Sequence, residues 1–222
     1  MLLLSQYLTL TMQTTKTIIF DLDHTLLNTK RLNKDSFVIL KKAGATDLQI
    51  NDSYKYLLSL SRFNYNFTNH AKAIQRKYKM KLDFEIINNF LNSSFKKYLN
   101  KGALLILNYL KKNNWEIILL TAGNPQYQKI KIKQSGLADY FDKILISHGC
   151  SKNETLKKYI NKEAVFVNDF WDETKGIMKE FKKFTYILYQ RADWVDFYKE
   201  NDIAIPMIKN FSELKGFLTA LN

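Results

Sequence analysis

The sequence predicts an α/β protein, a doubly wound parallel sheet carrying an inserted all-helical segment, and three observations lead there. Short apolar, β-branched runs recur along the chain, and each stops at polar residues. Stretches with helical spacing of apolar residues separate most of these runs. Residues 32–100 break the alternation, with helical patterns and no apolar strand between them. Strand and helix in alternation, with polar residues gathered at strand ends, mark a parallel sheet with helices on both faces.

Taken in order, Thr17-Ile18-Ile19-Phe20 reads as a buried strand delivering Asp21 at its carboxyl end. Helical spacing follows at Phe37, Leu40 and Lys41, around Tyr54, Leu57 and Leu58, from Ala71 to Tyr78 and from Ile86 to Leu99. A helix over Ala103 to Lys112 leads into the strand Ile117 to Leu120, which ends at Thr121-Ala122-Gly123. A helix from Gln126 to Gln134 precedes the run Ile144 to Ile146, which stops before Ser147. Helical spacing from Ser151 to Tyr159 precedes Val165 to Val167, which ends at Asn168-Asp169. A helix from Trp171 to Phe181 and a fifth strand, Tyr186 to Tyr189, complete the alternation. Ligands of such sheets bind beyond the carboxyl ends of the strands, so the polar clusters should meet at one rim. The domain reading is an extension over 1–15, an α/β core formed by 16–31 and 101–222, and a helical insert over 32–100.

Composition narrows the setting. Of 222 residues, 46% are hydrophobic, ample for a core and unlike a disordered chain. A single cysteine, Cys150, cannot form an internal disulfide, so a reducing cytoplasm is the simplest expectation. No stretch is apolar and long enough to span a bilayer, which argues against a membrane role. Met1 to Thr15 lacks a basic flank and a small-residue cleavage site, so a signal peptide is not expected. The net charge of +13 favours anionic partners, although the lysines are scattered among acidic residues as on solvated helix faces.

Asp21 and Asp23 carry the chemistry. Two carboxylates one residue apart past a strand end can approach one site, where one attacks phosphorus and the other exchanges a proton with the leaving group. Their mutual repulsion calls for a cation, and Mg²⁺ with oxygen ligands is the natural choice. An acidic turn or helix cap is the plainer alternative for such a pair. His148 and Cys150 have no metal-ligand partner at useful spacing and read as structural.

Phe20-Asp21-Leu22-Asp23-His24-Thr25-Leu26 resembles the first motif of the haloacid dehalogenase superfamily. The resemblance continues in order through Thr121, Lys152, and Val165 to Asp169 with Asp172 and Glu173, and closes on Ile203 to Pro206 and Ile208 to Leu214. It implies a Rossmann-like core, with residues 32–100 as the cap that closes over the site and selects the leaving group. It implies Asp21 as nucleophile and metal ligand, and Asp23 as acid/base whose carbonyl also reaches the metal. Thr121, aided by the Ala122 and Gly123 amides, and Lys152 would hold the phosphoryl group, and Asp169 would complete the Mg²⁺ site. Asp172 and Glu173 compete for the second acidic role, and Lys143 competes less well with Lys152 because it precedes its strand. Asn168 and His24 stand where glycine is common in the family.

The implied activity is an Mg²⁺-dependent phosphatase acting through an aspartyl-phosphate on a small phosphorylated metabolite or nucleotide. A sugar-phosphate mutase shares that chemistry and is the nearest alternative. A polynucleotide-end phosphatase or nucleic-acid-associated protein is a third reading, motivated by charge alone. In the insert, Arg62 to His70 mixes aromatics, amides and a cation; Phe63, Tyr65 and Phe67 read as packing residues of a helix junction, and Lys72, Arg76 and Lys77 as a solvated face.

Overall fold

The structure, a computed structural model, describes residues 16–61, 65–147, 151–201 and 203–220. The expectations for Met1 to Thr15, Arg62, Phe63, Asn64, His148 and Cys150 lie outside the described residues.

Six parallel strands form one sheet: β1 (Thr17–Phe20), β2 (Glu116–Ala122), β3 (Lys143–Ser147), β4 (Ala164–Asn168), β5 (Phe184–Tyr189) and β6 (Met207–Ile208). Their order is β3-β2-β1-β4-β5-β6, so β1 lies centrally with β2 and β4 beside it. The two-residue period of the strands is visible in their burial. Ile18, Phe20, Ile117, Leu119, Val165 and Val167 enter one apolar cluster, and Ile19, Ile118, Leu120 and Phe166 enter another on the opposite face. Because both faces are covered at the centre of the sheet, Ile18 to Phe20, Ile117 to Leu120 and Val165 to Val167 are apolar at every position rather than alternating.

Helices α5 (Ala103–Lys112), α6 (Pro125–Gln134) and α10 (Phe211–Ala220) contribute Leu107, Ile132 and Leu214 to the first cluster. Helices α7 (Lys152–Leu156) and α8 (Trp171–Met178) contribute Leu156 and Ile177 to the second. A short helix, α9 (Val195–Glu200), buries Tyr198 against Trp171 and Leu188.

Between β1 and α5 the chain is helical: α1 (Thr29–Lys42), α2 (Asp47–Leu60), α3 (Phe67–Tyr78) and α4 (Phe84–Asn92), then a 3-10 turn over Lys96–Tyr98. Each start is capped, with Asn28, Thr46, Asn66 and Asp83 accepting from first-turn amides, and Thr46 forms a reciprocal capping box with Gln49. The spacing predicted helix from Ile86 to Leu99, but α4 ends at Asn92, where Ser93 and Ser94 are poor helix formers. The closing strand also differs from expectation. Pro206 cannot donate to the ladder, so pairing is confined to Met207–Ile208, while the Pro206 carbonyl accepts from the Leu188 amide at 2.9 Å.

No helix among the described residues is long and apolar enough to cross a membrane. A hollow of about 1550 Å³ opens at the amino ends of the strands, lined in part by Lys16, Trp115, Glu116, Lys162 and Lys183. It lies at the opposite edge of the sheet from Asp21 and Asp169, and open solvent-facing volume there is no sign of chemistry. The site is sought at the carboxyl rim instead.

Candidate active site

Register places Asp21 at the middle of that rim. Phe20 pairs with Leu119 on one side and Val167 on the other, and the Asp21 amide donates to the Val167 carbonyl at 3.0 Å. The next residues turn sharply. Leu26 and Leu27 donate back to the Leu22 carbonyl, His24 donates to Leu27, and His24 itself adopts a left-handed conformation with φ of 65°. The Asn100 amide group clamps this turn through the His24 and Thr25 carbonyls at 3.1 and 2.7 Å. A tight turn directly after a central strand is what sends Asp21 and Asp23 toward one pocket.

Lys152 opens α7 and is buried beneath Asp21. Its Nζ donates to Asp21 Oδ1 at 2.6 Å and to Glu173 Oε2 at 2.7 Å. Burial opposes its charge, but the Asp21 and Glu173 carboxylates outweigh that and hold the Lys152 ammonium above the usual lysine range. Burial is also the main influence on Asp21 and raises its carboxyl to about 6, against the pull of Lys152 and with added repulsion from Glu173 and Asp23. Lys143, by contrast, sits at the start of β3 and pairs with Glu116, at the amino edge of the sheet.

The structure separates the two acidic candidates after β4. Glu173 faces inward to Lys152 and to the Asn168 side-chain amide at 3.0 Å. Asp172 points outward and pairs with Lys175 at 2.8 Å. It does not join the cluster. Asn168 stabilises the turn after β4 by donating also to Thr174 Oγ1 and the Phe170 carbonyl.

Asp169 is buried beside Asp21. Desolvation and the Asp21 charge push its carboxyl well above the usual range, with Lys152 and Arg191 opposing. Thr25 Oγ1 lies 3.5 Å from Asp169 Oδ1, and Arg191 Nη1 lies 3.6 Å from Oδ2. Arg191 was missed in the sequence, although it follows β5 by two residues and obeys the rule that polar residues after strand ends converge.

Asp23 has its own donors. Lys131 Nζ meets both of its oxygens at 2.6 and 2.7 Å, Gln128 Nε2 donates to Oδ2 at 2.8 Å, and Thr29 Oγ1 donates to Oδ1 at 2.6 Å. Burial would raise this carboxyl, but Lys131, Thr29 and Gln128 together bring it to about 2. Gln128 and Lys131 also escaped the sequence reading. They lie three apart on one face of α6, yet in a lysine-rich chain that spacing is indistinguishable from a solvated face.

Thr121, in β2, is buried, and its hydroxyl oxygen accepts from Gln128 Nε2 at 2.9 Å, leaving its proton to donate elsewhere. The expectation that the Gly123 amide binds phosphate is corrected: that N–H donates to the Ser147 carbonyl at 3.1 Å. Gly123 serves another purpose. Its φ is 142°, and a Cβ there would stand 2.9 Å from Gln128 Nε2. The bare backbone is what lets the Gln128 amide fold onto Thr121 and the Ala122 carbonyl, the latter at 2.6 Å.

Among the described residues no group of three or more His, Cys, Asp or Glu side chains is arranged to hold a metal. The donor set nonetheless fits a hard divalent cation. Asp21 and Asp169 are two buried carboxylates whose charges repel one another, and Mg²⁺ sites commonly use one or two carboxylates with water and substrate oxygens for the rest.

The insert meets the core close by. Asn66, the cap of α3, donates to Asn124 Oδ1 at 3.2 Å, and the Tyr65 and Tyr127 rings lie 6.0 Å apart. Tyr65 and Phe67 pack as expected, Phe67 against Phe90, while Lys72, Arg76 and Lys77 are exposed and Lys77 pairs with Asp52.

The fold and site thus bring three acidic residues, Asp21, Asp169 and Glu173, and the buried Lys152 together at the carboxyl rim of a parallel α/β sheet. A family model for haloacid dehalogenase-like hydrolases matches residues 18–169, and the chain belongs to that family. A glyceraldehyde 3-phosphate phosphatase from Pyrococcus furiosus is 31% identical over 147 residues, covering 61% of this chain. The match spans 60% of that relative's length. Among solved structures, a haloacid dehalogenase-like hydrolase from Burkholderia xenovorans superposes with a TM-score of 0.73 at 18% identity, covering 90% of this chain and 94% of that one. A HAD phosphatase from Thermococcus onnurineus gives 0.61 at 20% identity, with 92% and 98% covered. The L-2-haloacid dehalogenase of Xanthobacter autotrophicus gives 0.59 at 12%, with 94% and 100% covered. These structural likenesses speak to the fold alone.

Proposed function

We propose that this hydrolase is an Mg²⁺-dependent phosphomonoesterase that works through an aspartyl-phosphate on Asp21, acting on a small phosphorylated substrate in the cytoplasm. The observation that carries the reading is the buried Lys152 bonded to Asp21, with a second carboxylate, Asp23, two residues on. Dehalogenation does not need that second acid, whereas phosphoryl transfer to and from an alcohol does. The phosphatase relative from Pyrococcus points the same way.

In this reading the Asp21 carboxylate attacks phosphorus and the bond to the alcohol oxygen breaks. Lys152 neutralises charge on the nucleophile and on the phosphoryl oxygens, and the Thr121 hydroxyl donates to one of those oxygens. Asp21, Asp169 and the Asp23 carbonyl would hold Mg²⁺, which when bound supplies positive charge against the transferring oxygens. Asp23 gives a proton to the departing alkoxide, then takes one from water, which attacks phosphorus and regenerates Asp21. Both Asp23 oxygens are already engaged by Lys131, Gln128 and Thr29. That shell holds Asp23 ionised and weakens it as a base, so the Lys131 contact must loosen as substrate enters, letting Asp23 take up the proton it gives to the alkoxide and later the one it takes from water.

The test is hydrolysis of an aryl phosphate with Mg²⁺, with EDTA, and by Asp21→Asn. Turnover that needs both the metal and Asp21 is expected. Undiminished turnover in Asp21→Asn would rule out the aspartyl mechanism.

A further inference from the structure

Arg191 has no part in the chemistry proposed above, yet several groups hold it against Asp169. Its side chain is only 14% exposed. Nε and Nη2 meet the two Asp193 oxygens at 3.2 and 3.1 Å, a forked pair that fixes the guanidinium plane. The guanidinium carbon lies 4.2 Å from the centre of the Trp194 ring. The Arg191 amide donates to the Tyr198 hydroxyl at 3.0 Å, and that hydroxyl lies 3.5 Å from the Asp169 carbonyl. Nη1 remains for the rim, 3.6 Å from Asp169 Oδ2.

That last distance is the informative one. At 3.6 Å the contact is an ion pair beyond hydrogen-bond length, and Thr25 Oγ1 stands 3.5 Å from the other Asp169 oxygen. Asp193 thus restrains the guanidinium just short of Asp169, which leaves the carboxylate oriented yet open to a cation. Asp193 also pairs with Lys30 at 3.2 Å, but that lysine is 69% exposed and adds little. A fixed positive charge so close to a carboxylate repels any divalent ion held there.

We propose that Arg191 is a positioning residue for Asp169 that limits how tightly the Asp21–Asp169 pair holds Mg²⁺, and that Asp193 moderates this limit by holding the guanidinium back. The inference rests on the cation site of the reading above. Outer partners of metal ligands commonly raise affinity by supporting the ligand; here the partner is itself a cation, and the sign is reversed.

The test is calorimetric binding of Mg²⁺ alone, without substrate, to the wild type, Arg191→Gln, Arg191→Lys, Asp193→Asn and the double variant Arg191→Gln/Asp193→Asn. Arg191→Gln should tighten binding by about 3- to 10-fold, because a like charge is removed. Arg191→Lys keeps the charge and should not tighten it. Asp193→Asn should weaken binding by roughly 3-fold or more, because the released guanidinium closes on Asp169. In the Arg191→Gln background the same substitution should matter by less than about 2-fold. A merely structural arginine gives the opposite sign, since its loss would loosen Asp169 and weaken the site. Unchanged or weaker binding in Arg191→Gln, equal tightening in Arg191→Lys, or an Asp193→Asn effect that persists without Arg191 would overturn the inference while the phosphatase reading stands. Should Arg191→Gln not fold, wild-type affinity in Asp193→Asn would overturn it alone. Absence of Mg²⁺ binding in the wild type and every variant would also overturn it, and aryl phosphate turnover indifferent to EDTA would overturn the cation site with it.

Discussion

Replacing Lys131 with methionine isolates the contact that organises Asp23. The side chain is one atom shorter and loses its charge, while most of the unbranched stem stays in place. Lys131 is 5% exposed and Asp23 25% exposed, so this is a largely desolvated pair. Removing one partner of a fully buried pair costs about 3–5 kcal/mol, because the other charge is left uncompensated. Asp23 retains Thr29 at 2.6 Å and Gln128 at 2.8 Å and some access to water, so the lower end applies. The carboxyl itself gives a second figure. Its fall from 3.8 to about 2 corresponds to about 2.5 kcal/mol in favour of the ionised form in the folded protein. Lys131→Met should therefore destabilise the fold by about 2–3 kcal/mol in urea denaturation followed by circular dichroism near neutral pH. Asp23→Asn alone should cost a similar amount by stranding the lysine. The double variant should lose little more than either single, giving a coupling of about 2 kcal/mol. A loss below about 0.5 kcal/mol for Lys131→Met, with additive behaviour in the double variant, would mean that the pair acts like an exposed ion pair and that the argument from burial is wrong.

Three other perturbations follow from the same geometry. His24→Gly removes a side chain from a left-handed backbone with φ of 65° and should raise stability by about 1 kcal/mol, or a few degrees in Tm, by calorimetry. Gly123→Ala adds a Cβ 2.9 Å from the Gln128 amide at a φ of 142°, and should cost at least about 1 kcal/mol and lower kcat by displacing Gln128 from Thr121. His70, fully buried among Phe37, Tyr54 and Tyr65, has its imidazole depressed by burial from 6.5 to about 4, despite the Ile50 carbonyl contact. Between those values the unfolded chain binds the extra proton, so stability should fall as pH drops from 6.5 to 4, by up to about 3 kcal/mol. In His70→Gln that slope should flatten, and an unchanged pH profile of denaturation midpoints would count against a neutral buried imidazole.

The strands and most core helices were legible because their signal is local. A parallel sheet buried on both faces needs continuous apolar runs, and Ile18-Ile19-Phe20 or Val165-Phe166-Val167 can hardly serve elsewhere. Asp21, Thr121, Lys152 and Asp169 were legible for the same reason, since each stands at or just past the carboxyl end of such a run. Arg191 obeyed that rule too and was open to the same reading. What the chain alone left open was a matter of direction in space. Asp172 and Glu173 are neighbours, and only the rotation of α8 sends one to Lys175 and the other to Lys152. Gln128 and Lys131 carry no mark distinguishing them from the surface amides and lysines around them. They become partners of Asp23 because the turn after β1 and the first turns of α6 meet across more than a hundred residues of chain. Sequence thus determined which chemistry reaches the rim, through short-range periodicity. Tertiary packing decided which charges pair there, because pairing depends on distances that no spacing along the chain encodes.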